Sequence, residues 1–238
     1  MTENRPEWFY DEFQNSGVNY QDPDVVERYE GRHANFRDFA AEARRMLARL
    51  GQPDDFWQEK RLVDLGCGTG ALTMEFAPVF GRIDAADVSD GMLGVFRRKL
   101  ADRRMENVFL HHDGFLTYDH EGEPADVVFS SIAFHHLPDF WKVCALERIH
   151  RFLKPGGLFY LTDVVFHFGV DRWREGASEV LAAMSDAAGH EASLHLSREF
   201  SSFDWLVEAM FEKTGFAIEK TFDETPFLRT YLCRTPTV

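Results

Sequence analysis

The stretch Val63-Asp64-Leu65-Gly66-Cys67-Gly68-Thr69-Gly70 decides how the rest of this chain reads. It continues a short apolar run, Arg61–Leu65, and leads into a helix-compatible segment, Ala71–Phe80. That order of strand, loop and helix is what gives a glycine-rich loop its meaning. Gly66 and Gly68 carry no side chains, so the chain turns tightly and a ligand can lie against backbone N–H groups at the helix start. The next apolar run, Arg82–Ala86, ends at Asp87, whose carboxylate is placed to accept hydrogen bonds from both hydroxyls of a ribose.

Working outward, the same rhythm repeats. Short runs apolar on both faces recur at Val108–His112, Asp126–Ser130 and Leu158–Thr162. Helix-compatible segments separate most of them, at Asp90–Ala101 with Ser89 as N-cap and at Asp139–Phe152. The gap from Asp113 to Pro124 is too short and polar for a helix. Strands buried on both faces and alternating with helices require a parallel sheet covered on each side, and right-handed crossovers make it doubly wound. Earlier in the chain, Phe36 to Leu50 follows helical spacing and stops at Gly51 and Pro53, whereas residues 1–30 are aromatic without a clean period. Beyond the fifth strand, Phe166 to Arg198 reads as one helix around Trp173–Ala188, and Phe203–Thr214 as another. Phe216–Thr221 and Leu228–Arg234, joined by a short link, should pair antiparallel. The expected fold is α/β: a Rossmann-like, doubly wound sheet of about seven strands, mostly parallel with an antiparallel C-terminal strand. One domain is expected over residues 1–238: a helical cap or lid at 1–50, a ligand-binding core at 60–165, a helical insertion at 166–200, and a final helix with its strand pair at 201–238.

Composition closes several classes. Of 238 residues, 26 are Lys or Arg and 40 are Asp or Glu, a net charge of −14. An acidic total argues against nucleic acid or an anionic membrane surface as partner, since both select for a basic face. No apolar run approaches the roughly 20 residues of a membrane-spanning helix, and Met1–Tyr10 lacks the basic start and apolar core of a signal peptide. Cys67, Cys144 and Cys233 give neither a disulfide framework nor metal-ligand spacing. A soluble, cytoplasmic protein is expected.

Two ligands fit the loop as residues alone. Read as G-x-G-x-x-A ending at Ala71, it matches a dinucleotide fingerprint; read as acid-x-G-x-G-x-G, it carries a carboxylate, Asp64, that repels phosphates and suits an ammonium or sulfonium. At this point the sequence resembles the class I S-adenosylmethionine (SAM)-dependent methyltransferases. Val63–Gly70 is similar to their first motif, and Asp87-Val88-Ser89 with Met92-Leu93 to their second, in which the acid holds ribose and the Met packs on adenine. His112-Asp113-Gly114-Phe115 resembles the third, whose Asp and following N–H read the adenine edge. Ala125–Ser130 with Ala133-Phe134-His135-His136-Leu137 is similar to the fourth strand and its exit, and Leu153-Lys154-Pro155-Gly156-Gly157 to the family's helix-to-strand turn. The resemblance spans residues 60–165 and is nearest to the branch acting on small molecules; no N-P-P-Y-type tetrad of nucleic-acid enzymes follows Ser130. It implies SAM as cofactor, S-adenosylhomocysteine as product, and a small-molecule methyl acceptor. The implied cofactor residues are Asp64, Gly66, Cys67 (through its backbone), Gly68, Asp87, Val88, Met92, Asp113, Gly114, Phe115 and Ser130.

Methyl transfer from a sulfonium is an in-line displacement, so a protein mainly positions the acceptor and excludes water; a base is needed only if the acceptor must lose a proton. His136, after the fourth strand, lies where the reactive end belongs, and the resemblance implies that an N-terminal Tyr, here Tyr20, closes over the site with it. His135 reads as packing or solvent-facing, and Asp163 either as a binder of an acceptor amine or as an acceptor for nearby N–H groups. Trp8, Phe9 and Tyr10 form a lid or simply dock on the domain. His167, His190 and His195 lack a metal-site spacing, Trp173 and Trp205 read as core, and Arg44-Arg45 and Arg97-Arg98-Lys99 as solvated helix faces. Two other functions share this pattern: a nicotinamide-dependent oxidoreductase, and a non-catalytic SAM-binding module.

Overall fold

The computed structural model describes residues 6–14, 20–33, 37–188 and 191–237. Strands β1 (Arg61–Leu65), β2 (Arg82–Ala86), β3 (Val108–His111), β4 (Ala125–Ser131) and β5 (Leu153–Phe166) run parallel in the spatial order β3-β2-β1-β4-β5. A two-residue strand, β6 (Ser202–Phe203), pairs with the end of β5. The hairpin of β7 (Ala217–Asp223) and β8 (Leu228–Arg234) closes the sheet, with β8 antiparallel to both β5 and β7. The expected sheet is therefore present, with β6 as an eighth strand that two residues are too few to signal.

Side-chain alternation divides the core. Along β1, Leu62 enters one apolar cluster, while Val63 and Leu65 enter the other; Val127 and Phe129 of β4 oppose Val128, and Leu158 and Tyr160 of β5 oppose Phe159 and Leu161. One face is covered by α5 (Asp139–Phe152) and α8 (Asp204–Lys213), through Leu146, Ile149, Val207 and Phe211. The other is covered by α2 (Phe39–Leu50), the short α3 (Thr73–Phe76) and α4 (Asp90–Arg103), through Met46, Phe76 and Phe96. Capping follows the residues: the Asp38 carboxylate accepts from the Ala41 N–H at 2.9 Å, Gly51 closes α2 at φ 74°, and the Ser89 hydroxyl accepts from the Met92 N–H at 3.2 Å.

Several boundaries move. The helix expected over Ala71–Phe80 contracts to α3, because Pro78 has no N–H to donate and its ring opposes continuation. A helix that the sequence pattern missed, α1 (Pro23–His33), has Pro at its first position and buries Val26 against Gly91 of α4. Phe166–Arg198 forms two helices, α6 (Trp173–Ala188) and α7 (Glu191–Arg198), not one; Gly189 and His190 between them lie outside the described residues. Trp173 and Trp205 are not core. They are 50% and 53% exposed, Trp173 lying under the Arg174 guanidinium while α6 buries Val180 and Met184 instead. Among the described residues no helix is long and apolar enough to cross a membrane.

Candidate functional site

The glycine loop spends its own N–H groups on its shape. Gly66 and Cys67 both donate to the Ala86 carbonyl, at 2.9 and 3.0 Å, and Gly70 donates to Cys67 at 2.9 Å. Gly68 donates to Asp87 Oδ2 at 2.8 Å. Gly66 sits at φ 78°, and a Cβ there would collide with the Cβ of Ala133 on the loop after β4. These four N–H groups are thus taken before any ligand arrives, which leaves them nothing to offer a pyrophosphate. Asp87 instead faces the cavity with a carboxylate fixed by Gly68 and by the Ser89 N–H, 2.8 Å from Oδ1. Burial raises its pKa, an effect that the two N–H bonds only partly offset.

A cavity of about 110 Å³ opens over this loop. Its lining includes nine of the residues expected from sequence: Gly66, Gly68, Asp87, Val88, Met92, Gly114, Phe115, Tyr20 and His136. The rings of Tyr20 and His136 meet edge to face, 5.8 Å apart. The N-terminal segment is fastened over this opening: Tyr10 donates to the His136 carbonyl at 3.2 Å, and the Tyr20 carbonyl accepts from the Ser89 hydroxyl at 2.6 Å. Phe9 and Trp8 pack on Trp141 of α5, with ring centroids at 4.9 and 6.3 Å. The wall also includes Glu12, Gln21 and Tyr29, which sequence reasoning missed. Glu12 accepts from the Leu116 N–H and the Thr117 hydroxyl at 3.1 and 2.7 Å, and Gln21 donates to the Val88 carbonyl at 2.8 Å. Only for Tyr29 did a local signal exist, its helical spacing from Val26.

Four expected residues do not line the cavity. Asp64 shares its face of β1 with Leu62, and one oxygen accepts from the Thr73 hydroxyl at 2.5 Å; with no exposure to speak of, burial pushes its pKa up to about 7. Cys67 has its N–H committed to Ala86, and burial pushes its thiol pKa up, so it is a turn residue. Ser130 is fully buried with its hydroxyl unpartnered among the described residues, and the next residue, Ser131, reaches the cavity instead. Asp113 is half-buried beside the lining residue Gly114. Lys99, read as solvated, donates to the Thr69 carbonyl at 3.0 Å, and burial lowers its pKa to about 8.

A second, larger cavity of about 780 Å³ lies between α2, α6 and the β7–β8 turn, sharing Ser131 and Ile132 with the first. Ile132 adopts φ 54°, the left-handed region that a β-branched residue avoids, while its N–H donates to Thr162 at 2.8 Å. His135, on this wall, is buried, not solvent-facing. Its Nδ1 pairs with Asp163, its Nε2 lies 3.4 Å from Glu199, and its N–H donates to Asp163 at 2.9 Å. Burial opposes the imidazolium, but these carboxylates push the His135 pKa up to about 9. Of the two readings of Asp163, the acceptor of local N–H groups is the one found, from His135 and Val164. His135, His136 and Glu199 lie close enough together to hold a metal, with the His135 Nδ1 facing Asp163 and its Nε2 facing Glu199. His190 and the His195 side chain fall outside the described residues.

Residues 62–157 match the family described as "Methyltransferase domain". An uncharacterised methyltransferase of Geobacillus kaustophilus is 26% identical over 79% of this chain and 81% of its own length. A SAM-dependent methyltransferase of Clostridium acetobutylicum shares the fold at a TM-score of 0.68 and 12% identity, over 90% of this chain and 98% of that one. A Haemonchus contortus phosphoethanolamine N-methyltransferase, solved with SAM, does so at 0.68 and 18%, over 92% of this chain and 60% of that one. Sheet order, glycine loop, the domain match over residues 62–157 and the relatives point the same way: this chain is similar to the SAM-dependent methyltransferases and shares their fold.

Proposed function

We propose that the smaller cavity holds SAM and that the protein passes its methyl group to a small organic acceptor. The observation that carries this reading is Asp87, a buried carboxylate turned to the cavity from a loop whose N–H groups are already bonded. Two ribose hydroxyls can donate to its free lone pairs. Val88 and Met92 supply apolar surface for adenine, and Asp113, Gly114 and Phe115 its polar edge. Bound SAM supplies an electrophilic methyl on a sulfonium, which leaves as a neutral thioether.

The chain's own work is then positional. Tyr20 and His136 close over the reacting end and keep water from it, and His136 takes a proton when the acceptor must lose one. The acceptor's lone pair forms the new bond to the methyl carbon while the C–S pair returns to sulfur. A net charge of −14 supports an acceptor other than nucleic acid.

Titration calorimetry with SAM, S-adenosylhomocysteine and NADH tests the reading. Binding of both sulfur nucleosides and not of NADH is expected; binding of NADH alone would overturn it. Slow turnover of SAM to S-adenosylhomocysteine across a metabolite library would separate an enzyme from a non-catalytic SAM-binding module.

A further inference from the structure

Where the β4 exit meets the link between α7 and β6, three metal-ligating side chains converge. His135 and His136 follow β4, and Glu199 follows α7, far along the chain. One ligand atom from each lies within 4.8 Å of the other two. His135 Nε2 stands 3.4 Å from Glu199 Oε2. A charge-assisted hydrogen bond is shorter, about 2.7–2.9 Å. A tetrahedral ion about 2.0–2.1 Å from nitrogen and about 2.0–2.2 Å from oxygen holds two such ligands roughly 3.3–3.5 Å apart. The observed separation is that of two ligands on one ion.

The surroundings hold these donors in place. His135 Nδ1 pairs with Asp163, the kind of outer partner that fixes the ring and tautomer of a metal-bound histidine. Asp163 is itself set by the His135 and Val164 N–H groups, at 2.9 and 2.7 Å. Glu199 is positioned through its neighbour: the Phe200 N–H donates to the His135 carbonyl at 2.9 Å, and Lys142, which also bonds Asp139 and Ser202, donates to the Phe200 carbonyl. The side chains of His135, Asp163 and Glu199 are 3, 3 and 4% exposed, so water competes little for them. Two imidazoles and a carboxylate suit Zn²⁺ and its first-row neighbours, whereas Mg²⁺ takes oxygen ligands.

We infer that His135 Nε2, His136 and Glu199 form a binding site for a divalent first-row transition metal of the Zn²⁺ kind, with Asp163 as the outer partner. On Nε2 the ion takes the place of a proton. Three protein ligands leave a four-coordinate ion one open position. His136 lines the smaller cavity and His135 the larger, so the ion stands where the two adjoin. The use of the open position rests on the proposed methyltransferase reading: it takes an acceptor hydroxyl or thiol. The ion lowers the pKa of that group and its proton passes to solvent. The oxygen or sulfur lone pair then forms the bond to the methyl carbon while the C–S pair returns to the sulfonium sulfur. With the ion bound, His136 is a ligand, and the ion replaces the free ring in preparing the acceptor.

Calorimetry of Zn²⁺ into the full chain, stripped with a chelator and dialysed, tests the site, and the visible absorption of Co²⁺ reads its geometry. One ion per chain and a tetrahedral Co²⁺ spectrum are expected, with no binding of Mg²⁺ at the same concentration. Asp163→Asn should weaken Zn²⁺ about ten- to a hundred-fold, as loss of an outer partner does, and Glu199→Gln or His136→Gln by more. SAM affinity in Glu199→Gln should stay as in the wild type, which shows that the fold is kept. No Zn²⁺ binding by the wild type, or unchanged affinity in both Glu199→Gln and His136→Gln, would overturn the inference and leave the SAM reading standing. Zn²⁺ held by these residues in a chain that binds no sulfur nucleoside would keep the metal site and sink the role given to its open position.

Discussion

Replacing Asp87 with Ala acts on two quantities at once. The carboxylate accepts from the Gly68 and Ser89 N–H groups, each at 2.8 Å, so its loss strands two buried donors. Each stranded donor costs about 1–3 kcal/mol, and removing a carboxylate that burial already disfavours returns part of that sum. The net expectation is about 1–3 kcal/mol of lost stability without ligand. SAM loses in addition the charge-assisted bonds to its ribose, about 1.5–3 kcal/mol, which weakens binding roughly ten- to a hundred-fold. Urea unfolding without ligand reads the first quantity and calorimetry with SAM the second. Asp87→Asn, whose carbonyl oxygen can serve one of the donors, should fall between Ala and wild type in both. Unchanged SAM affinity would show that the ribose lies elsewhere. An unchanged urea midpoint would show that the carboxylate does not brace the loop.

Gly66→Ala places a methyl group against Ala133 at a left-handed φ of 78°, and should destabilise the protein by about 1–3 kcal/mol in urea; a neutral result would mean that the loop relaxes freely. His136→Ala should lower turnover far more than SAM affinity, about a hundred-fold where a proton must be removed, and Tyr20→Phe, which keeps the ring contact of 5.8 Å, should be milder. Normal turnover in His136→Ala would reduce that residue to scaffold. The His135 pKa is raised from 6.5 to about 9, so its pairing stabilises the fold fully below pH about 6.5 and loses that contribution as pH rises through about 9. The loss is on the order of 3 kcal/mol. Urea midpoints across that range should fall in the wild type relative to the His135→Gln/Asp163→Asn double variant, and parallel curves would refute the charged pair.

What the sequence disclosed and what it withheld follow from the range of the interactions involved. The five parallel strands, α5 and β8 are set by apolar runs and turn residues within a few positions, and Asp139–Phe152 and Leu228–Arg234 form as read. Eight of the nine lining residues, all but Tyr20, sit in short motifs just beyond the ends of β1, β2, β3 and β4. Glu12, by contrast, owes its place to Leu116 and Thr117, a hundred positions away, and no local pattern announces that. Arg45 fits a solvated helix face by periodicity and is exposed, and the arrival of α6 and the β7–β8 turn places it at the rim of a cavity as well. Trp173 misleads in the opposite direction, because helical placement says nothing about which face a neighbour covers. Asp64 shows how motif and geometry can part: alternation along β1 turns it to the α3 face, where Thr73 receives it.

The two cavities meet where the strand order reverses, between β1 and β4. Chains leaving these neighbouring strands cross to opposite layers, and a crevice opens between them. The loop after β1 can close there only because Gly66 has no Cβ and Ala133 fills the space. The loop after β4 reaches Ala133 only by forcing Ile132 into a left-handed turn at φ 54°, a conformation that costs about 1–2 kcal/mol. The Ile132 N–H bond to Thr162 keeps the end of β4 tied to β5 through that turn. The strained residue is therefore the wall common to both cavities, and the contact of Ala133 with Gly66 sets how far the β4 exit stands from the glycine loop. The two cavities are shaped by one turn, which fixes their relative position more rigidly than two independent loops would.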